Sequence, residues 1–96
     1  MSPLKRKKLS KIRFELDKLD NSLIKLIKKR TNLVKKVLAL KDKKNQIVDQ
    51  KRIHKILKDI KRKSIKNNID PKITNRIWKN MIWSYIDFER RNFKKK

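Results

Sequence analysis

Residues 9–43 read LSKIRFELDKLDNSLIKLIKKRTNLVKKVLALKDK, and this stretch decides the fold. Apolar side chains recur along it at alternating steps of four and three residues, which is the spacing of one face of a long helix packed against other helices. The residues of this face, called the seam below, are Ile12, Leu16, Leu19, Leu23, Leu26, Leu33, Val37 and Leu40. The pattern predicts a first helix from about Leu9 to about Lys43.

Arg30 occupies the one seam position that is not apolar. Burying an arginine without a partner costs several kcal/mol, so Arg30 is expected to face an anion, either a protein carboxylate or a ligand. Lys41 returns to within about 20° of the same face, about 16 Å further along the axis. Arg13 points about 100° away from Arg30. It can therefore serve such a site only in another chain, unless it forms an ordinary surface ion pair with Asp17 or Asp20.

The chain of 96 residues is strongly basic, with 24 Lys and 8 Arg against 9 acidic residues and a net charge of +23. This charge suits a basic helical nucleic-acid-binding module, because Lys and Arg neutralise phosphates. Lysine predominates beside many Ile and Asn, however, as in proteins encoded by A- and T-rich genomes. A DNA-binding helix would also place arginine on an exposed face, whereas Arg30 lies in the seam. We therefore do not expect a nucleic-acid partner.

The composition excludes several classes of site. With no Cys and one His, disulfides, thiolate chemistry and Cys- or His-cluster metal sites are not expected. No Gly-rich phosphate loop or Ser/His/Asp constellation is evident, so no metal or cofactor is predicted. No apolar run approaches the length of a membrane span or of a signal peptide core, which predicts a soluble cytoplasmic protein without a membrane partner.

Two shorter helices are predicted after a break at residues 43–46. Asp49 is the predicted N-cap of the second helix, and Arg52 lies in its first turn, where a cation is unfavourable unless an anion is near. Asp70 and Pro71 predict the start of the third helix. The predicted apolar stripes comprise Ile53, Ile56, Leu57 and Ile60 in the second helix, and Ile73, Ile77, Trp78, Met81, Ile82, Tyr85 and Phe88 in the third.

The first helix is far longer than the other two, so part of its seam would stay exposed in a single chain. An exposed apolar seam of this length predicts an oligomer, most simply a two-fold dimer with antiparallel long helices. Arg13, Arg30, Lys41 and Arg52 would then be the inward or awkwardly placed cations, with Glu89 as the one acidic residue beside an apolar face. Such a site would bind a small polyanion.

A distributed set of residues carries a resemblance to a known family. The set comprises Arg13 with Leu16-Asp17-Lys18-Leu19-Asp20, Leu23-Ile24, Arg30, Lys41, Ile47-Val48-Asp49 with Arg52, and Ile69-Asp70-Pro71 with Glu89. In these positions the chain resembles the all-helical class of chorismate mutases over about residues 9–93. The resemblance implies a chorismate mutase-like helical domain over 9–93, between a basic flexible arm at 1–8 and a basic tail at 94–96. It implies an intertwined homodimer that converts chorismate to prephenate, on the way to phenylalanine and tyrosine, without a cofactor.

The resemblance also implies a role for individual residues. Arg30 and Arg52 would hold the carboxylates of the substrate together with Arg13 of the partner subunit. Lys41 would donate to the ether oxygen of the breaking bond, and Asp49 matches a position that touches the ring hydroxyl.

Glu89 matches a family position that is Gln in many bacterial members and Glu in the fungal ones. A glutamate there must be protonated to donate to the same ether oxygen as Lys41. Two positions depart from the family: Ile53 stands where many members carry a Glu that contacts the ring hydroxyl, and Tyr85 stands where some carry Ser. The apolar Ile53 and the run Trp83-Ser84-Tyr85-Ile86 are also similar to isochorismate pyruvate lyases of salicylate synthesis, which leaves the lyase as an alternative.

Overall fold

A computed structural model describes residues 1–95, and these residues form an all-α chain. The helices are α1 (Pro3–Ala39), α2 (Gln50–Lys66) and α3 (Pro71–Asn92), with a short 3₁₀ helix at Lys44–Gln46 between α1 and α2. No strand occurs within the described residues. The predicted fold class, one long and two shorter helices, is therefore confirmed, while Lys96 of the predicted tail lies outside the described residues.

Helix α1 begins and ends earlier than the sequence predicted. It begins at Pro3 rather than near Leu9, so that most of the predicted arm is helical. Ser2 supplies the cap, because its Oγ accepts a hydrogen bond from the Lys5 backbone N–H at 3.2 Å and proline suits the first helical position. The helix ends at Ala39 instead of near Lys43. The next N–H, that of Leu40, bonds three residues back to the Val37 carbonyl at 3.0 Å, which tightens the last turn.

The predicted N-caps of α2 and α3 are confirmed. The Asp49 carboxylate accepts from the Arg52 N–H at 3.1 Å, and the Asp70 carboxylate accepts from the Lys72 N–H at 2.9 Å. Pro71 takes the first position of α3, where its missing N–H costs nothing. These local signals therefore fix both helix starts as the sequence indicated.

The turn between α2 and α3 is made without glycine. Asn68 adopts a left-handed backbone with φ of 57°, and the N–H groups of Asn68 and Ile69 bond to the carbonyls of Ile65 and Ser64 at 3.2 and 2.9 Å. This is the Schellman pattern of helix ends, in which asparagine replaces the more usual glycine. The hydroxyls of Ser64 and Thr74 then share a buried hydrogen bond of 2.7 Å, which joins the end of α2 to the start of α3.

The chain divides into two compact units, and the second, which begins at Val34, contains the buried core. Ile47, Ile82 and Ile86 form this core. Partly buried side chains pack around it, namely Leu38, Val48, Ile53, Ile56, Leu57 and Phe93. The stripe predicted for α2 thus contributes to the core, but that of α3 is wrong in part, since Ile73 and Ile77 are 56% and 49% exposed. Ile82 and Ile86 are buried instead. Each lies nine residues after one of the exposed isoleucines, so at about 100° per residue it points about 180° away from it.

The first unit, Met1–Leu33, exposes its apolar seam. From Ile12 to Leu33, the apolar seam residues are between 52% and 61% exposed. The prediction that part of the seam stays uncovered in a single chain is therefore confirmed. Among residues 1–95, no helix combines the length and the apolar character that crossing a membrane requires.

Candidate active site

The structure brings together two of the predicted site residues, Lys41 and Glu89, which are 48 positions apart in sequence. Lys41 lies two residues after the end of α1, and Glu89 lies near the end of α3. The Lys41 Nζ donates to Glu89 Oε2 at 2.9 Å, with side-chain exposures of 19% and 9%. The second unit therefore holds a charged pair largely removed from water.

Both residues of this pair lie near residues of the apolar core. Glu89 follows the core residues Ile82 and Ile86 on the inner face of α3. The Lys41 Nζ has a second acceptor, the Ile47 carbonyl at 3.4 Å, and the Ile47 side chain is 4% exposed. An ion pair at such a depth contributes little net stability, since desolvation offsets much of the attraction. A gain in stability alone therefore does not account for the pair.

Lys41 also lines a cavity of about 550 Å³. The other lining residues are Gln46, Val48, Asp49, Gln50 and Lys51. Cavities of about 300–1,000 Å³ accommodate small-molecule ligands. In the segment between α1 and α2, the cationic Lys41 thus lies beside a space that a small anion could enter.

Asp49 and Arg52 are joined at the start of α2 through the helix cap. Asp49 Oδ1 accepts from the backbone N–H of Arg52, so at least one carboxylate oxygen has a structural role. Both residues are exposed. Their predicted contacts with a ring hydroxyl and with a carboxylate stay predictions.

Ile53 and Tyr85, the two departures from the family pattern, are both half-buried. Ile53 packs against the core cluster, and Tyr85 precedes Glu89 by one turn of α3. An apolar side chain at position 53 cannot accept or donate a hydrogen bond. Any hydroxyl of a ligand near it must therefore find a different partner.

Arg13 and Arg30 belong to the first unit. Arg13 is exposed and Arg30 half-buried on α1. Ion pairs join Lys41 to Glu89, Lys55 and Arg62 to Asp59, and Arg91 to Asp87. None of them involves Arg13, so the surface ion pair with Asp17 or Asp20 is not formed. The roles of both arginines toward a substrate stay predictions.

Gln46 is a residue of this region that the sequence reasoning missed. Its Oε1 accepts from the backbone N–H groups of Asp42 and Lys43 at 2.8 and 2.9 Å. No periodic pattern marks such a residue, because it lies in a ten-residue connection between helices. Within residues 1–95, no group of three His, Cys, Asp or Glu side chains is arranged to hold a metal ion.

Comparison with known proteins identifies one family. The family model for chorismate mutase type II matches residues 12–90. No curated protein and no solved structure gives a significant match. The matched region includes every residue of the candidate site, from Arg13 to Glu89.

Proposed function

Because the chain belongs to the chorismate mutase type II family, we propose that it converts chorismate to prephenate. The observation that carries this proposal is the Lys41–Glu89 pair, with 2.9 Å between Nζ and Oε2. In this pair Lys41 is the donor, and a ligand oxygen placed beside it can accept from Lys41, and from Glu89 only when Glu89 carries a proton. Membership of the family supports chorismate as the substrate, and the pair supports a position of the reacting bond beside Lys41.

The proposed reaction is an intramolecular rearrangement in which an ether C–O bond breaks as a new C–C bond forms. No nucleophile is needed, since all electrons move within the substrate. Negative charge grows on the ether oxygen as the C–O bond lengthens. Donors fixed near that oxygen stabilise the transition state more than the ground state, and one such donor contributes about 3 kcal/mol.

Lys41 and Glu89 are the proposed donors. In the free chain the Glu89 carboxylate accepts from the Lys41 ammonium. With the substrate bound, the ether oxygen would accept from Lys41 instead, and Glu89 would need a proton to donate to the same atom. The carboxyl group therefore has to be protonated in the reactive complex.

The cationic side chains would hold the substrate in its reactive shape. We propose that Arg30 and Arg52 bind the two carboxylates, together with Arg13 of the partner subunit. Asp49 would contact the ring hydroxyl. Holding a flexible dicarboxylate in one conformer lowers the entropic part of the barrier by several kcal/mol.

A homodimer would complete this site. The apolar seam of Met1–Leu33 is more than half exposed from Ile12 to Leu33, and such a surface favours association with a second copy. In a two-fold arrangement with antiparallel long helices, the exposed Arg13 would serve the site of the other chain. The cytoplasmic location and the role in phenylalanine and tyrosine synthesis stay predictions.

A lyase acting on isochorismate is the second candidate. The observation that favours it is Ile53, a half-buried apolar residue where many mutases place a glutamate. The lyase reaction would release pyruvate and leave salicylate.

One experiment separates these functions: the purified protein receives chorismate and isochorismate in parallel, and the products are identified. We expect prephenate from chorismate. If only isochorismate is consumed and the products are salicylate and pyruvate, the proposed function would be that of the lyase and not of the mutase. Loss of neither substrate would refute both proposals, and binding of nucleic acid that weakens steeply with salt would then indicate the remaining alternative.

The matched variants for this experiment are Lys41→Met and Lys43→Met. The Lys43 side chain is exposed and takes no part in either bond of Lys41, so its substitution removes the same charge and keeps the backbone N–H that bonds to Gln46. Activity lost in the first variant and kept in the second would support the proposed role of Lys41. Equal activity in both would exclude Lys41 from the reaction.

A further inference from the structure

Lys41 lies in the connection between α1 and α2, residues 40–49, and not in a long helix. The backbone of this connection must therefore fix its position. The connection contains no glycine or proline, and its 3₁₀ helix spans Lys44–Gln46. On the α1 side, the Lys41 N–H bonds to the Leu38 carbonyl at 3.1 Å. On the α2 side, Ile47 anchors the connection in the core.

Gln46 closes the loop between these two anchors. Its Oε1 accepts from the N–H groups of both Asp42 and Lys43, the two residues directly after Lys41. Gln46 also directly precedes Ile47, whose carbonyl accepts from the Lys41 Nζ. The side-chain oxygen of Gln46 thus links two stretches of backbone. One directly follows Lys41, and the other contains the Ile47 carbonyl that accepts from the Lys41 ammonium group.

We propose that Gln46 is a positioning residue for Lys41, which rests on the proposed role of Lys41 as a donor. A lysine side chain is long and loses considerable rotamer entropy when it is held in one place. Its ammonium group can be fixed only if its backbone is fixed relative to the acceptors. The two bonds from Gln46 supply this constraint on the side of the loop that faces solvent.

The bond from the Lys43 N–H to Gln46 also caps the 3₁₀ helix, but it adds little to the stability of the fold. Gln46 is exposed, and water can replace an exposed hydrogen bond at little cost. A displacement of about 1 Å in a catalytic group, by contrast, can lower a rate by about 100-fold. Losing the Gln46 bonds should therefore affect the reaction more than the fold.

The test compares Gln46→Met, which keeps the length of the side chain but removes the acceptor, with Gln46→Glu, which keeps an acceptor oxygen. We expect Gln46→Met to lower kcat by about tenfold with little change in KM, because Lys41 acts on charge that develops in the transition state. Gln46→Glu should retain most of the activity. The matched control is Asn45→Ala, since Asn45 is an exposed neighbour and should leave both constants unchanged.

A second readout does not depend on turnover. The ammonium protons of Lys41 are shielded from exchange by the bonds to Glu89 and Ile47, so their signal should be visible by heteronuclear NMR. We expect this signal to broaden through faster exchange in Gln46→Met and to persist in Gln46→Glu.

The outcomes separate this proposal from the proposed function. An unchanged kcat in Gln46→Met, or an unchanged ammonium signal, would overturn the positioning role even if the wild-type chain is a mutase. A wild-type chain without activity would overturn the mutase, while the NMR comparison would still decide whether Gln46 fixes Lys41. Loss of activity in Gln46→Glu equal to that in Gln46→Met would also contradict a role based on the acceptor oxygen.

Discussion

The Lys41–Glu89 pair gives the sharpest quantitative prediction. At 2.9 Å between Nζ and Oε2 and an effective dielectric constant of about 20, the attraction is about 6 kcal/mol. Desolvation of the two largely buried ions offsets most of this attraction in the net stability, but a double-mutant cycle counts desolvation in the single variants, so the coupling reports the attraction between the side chains. We therefore expect a coupling free energy of up to about 6 kcal/mol between the two side chains.

The perturbation is a double-mutant cycle of Lys41→Met, Glu89→Gln and the combined variant. Lys41→Met alone leaves a carboxylate that is 9% exposed without its partner, which should lower the free energy of unfolding by about 3 kcal/mol near neutral pH. Adding Glu89→Gln removes the unpaired charge. The combined variant should therefore be more stable than Lys41→Met alone, and that recovery is the signature of coupling.

The assay is urea unfolding of the four proteins at one fixed protein concentration, because association changes apparent stability. Lys55→Met is the control, since it breaks the Lys55–Asp59 pair, in which both side chains are exposed, and should cost at most about 0.5 kcal/mol. A coupling below about 0.5 kcal/mol for Lys41 and Glu89 would refute the reasoning. The same Lys41→Met protein should also lose turnover by about 100-fold or more.

Four further results are expected. Arg30→Ala should abolish turnover while the oligomer persists by sedimentation, whereas Lys29→Ala on the same helix should keep activity; activity retained in Arg30→Ala would remove Arg30 from the site. Glu89→Gln should keep turnover, because an amide N–H donates a hydrogen bond to an ether oxygen without taking up a proton; loss of turnover in that variant would contradict a donor role for Glu89. Sedimentation at micromolar concentration should give twice the chain mass, and Leu19→Glu in the exposed seam should reduce it; a single-chain mass for the wild type would contradict the dimer. Asn68→Ala should lower the free energy of unfolding by about 1 kcal/mol and Asn68→Gly should not, because alanine is disfavoured at positive φ; equal urea midpoints would show that the left-handed turn is not retained in solution.

The helices could be predicted from the sequence wherever a local signal marks their ends. Asp49 and the pair Asp70 and Pro71 act within one turn of the chain, and their hydrogen bonds are those that the sequence indicates. The start of α1 was predicted about six residues too late, because Pro3 lies among basic residues that suggested a flexible arm. The cap that precedes it, Ser2, is an equally local signal and could have been used.

The phase of an apolar face is harder to predict than its presence. The third helix has apolar residues on opposite faces, since Ile77 points about 180° away from Ile86, so the apolar pattern alone did not decide which face is buried. Packing decides this, because the core residue Ile47 contributes from a connection and not from a periodic element. The side-chain pattern of a single helix contains no information about such a partner.

The candidate site was predicted through the resemblance to the family and not through spacing. Lys41 and Glu89 are 48 residues apart, and no helical period relates positions on different helices. The 2.9 Å contact between them is a result of the structure alone. Gln46 was missed because its role lies in the backbone groups that it satisfies, which no composition or pattern reveals.

The bond between Ser64 and Thr74 has a consequence for the order of folding. The two hydroxyls are only ten residues apart, so the entropy lost in closing the loop between them is small. Contacts of short sequence separation form faster than contacts between distant segments such as Lys41 and Glu89. We therefore expect the hairpin of α2 and α3 to form before the connection that carries Lys41 packs against it.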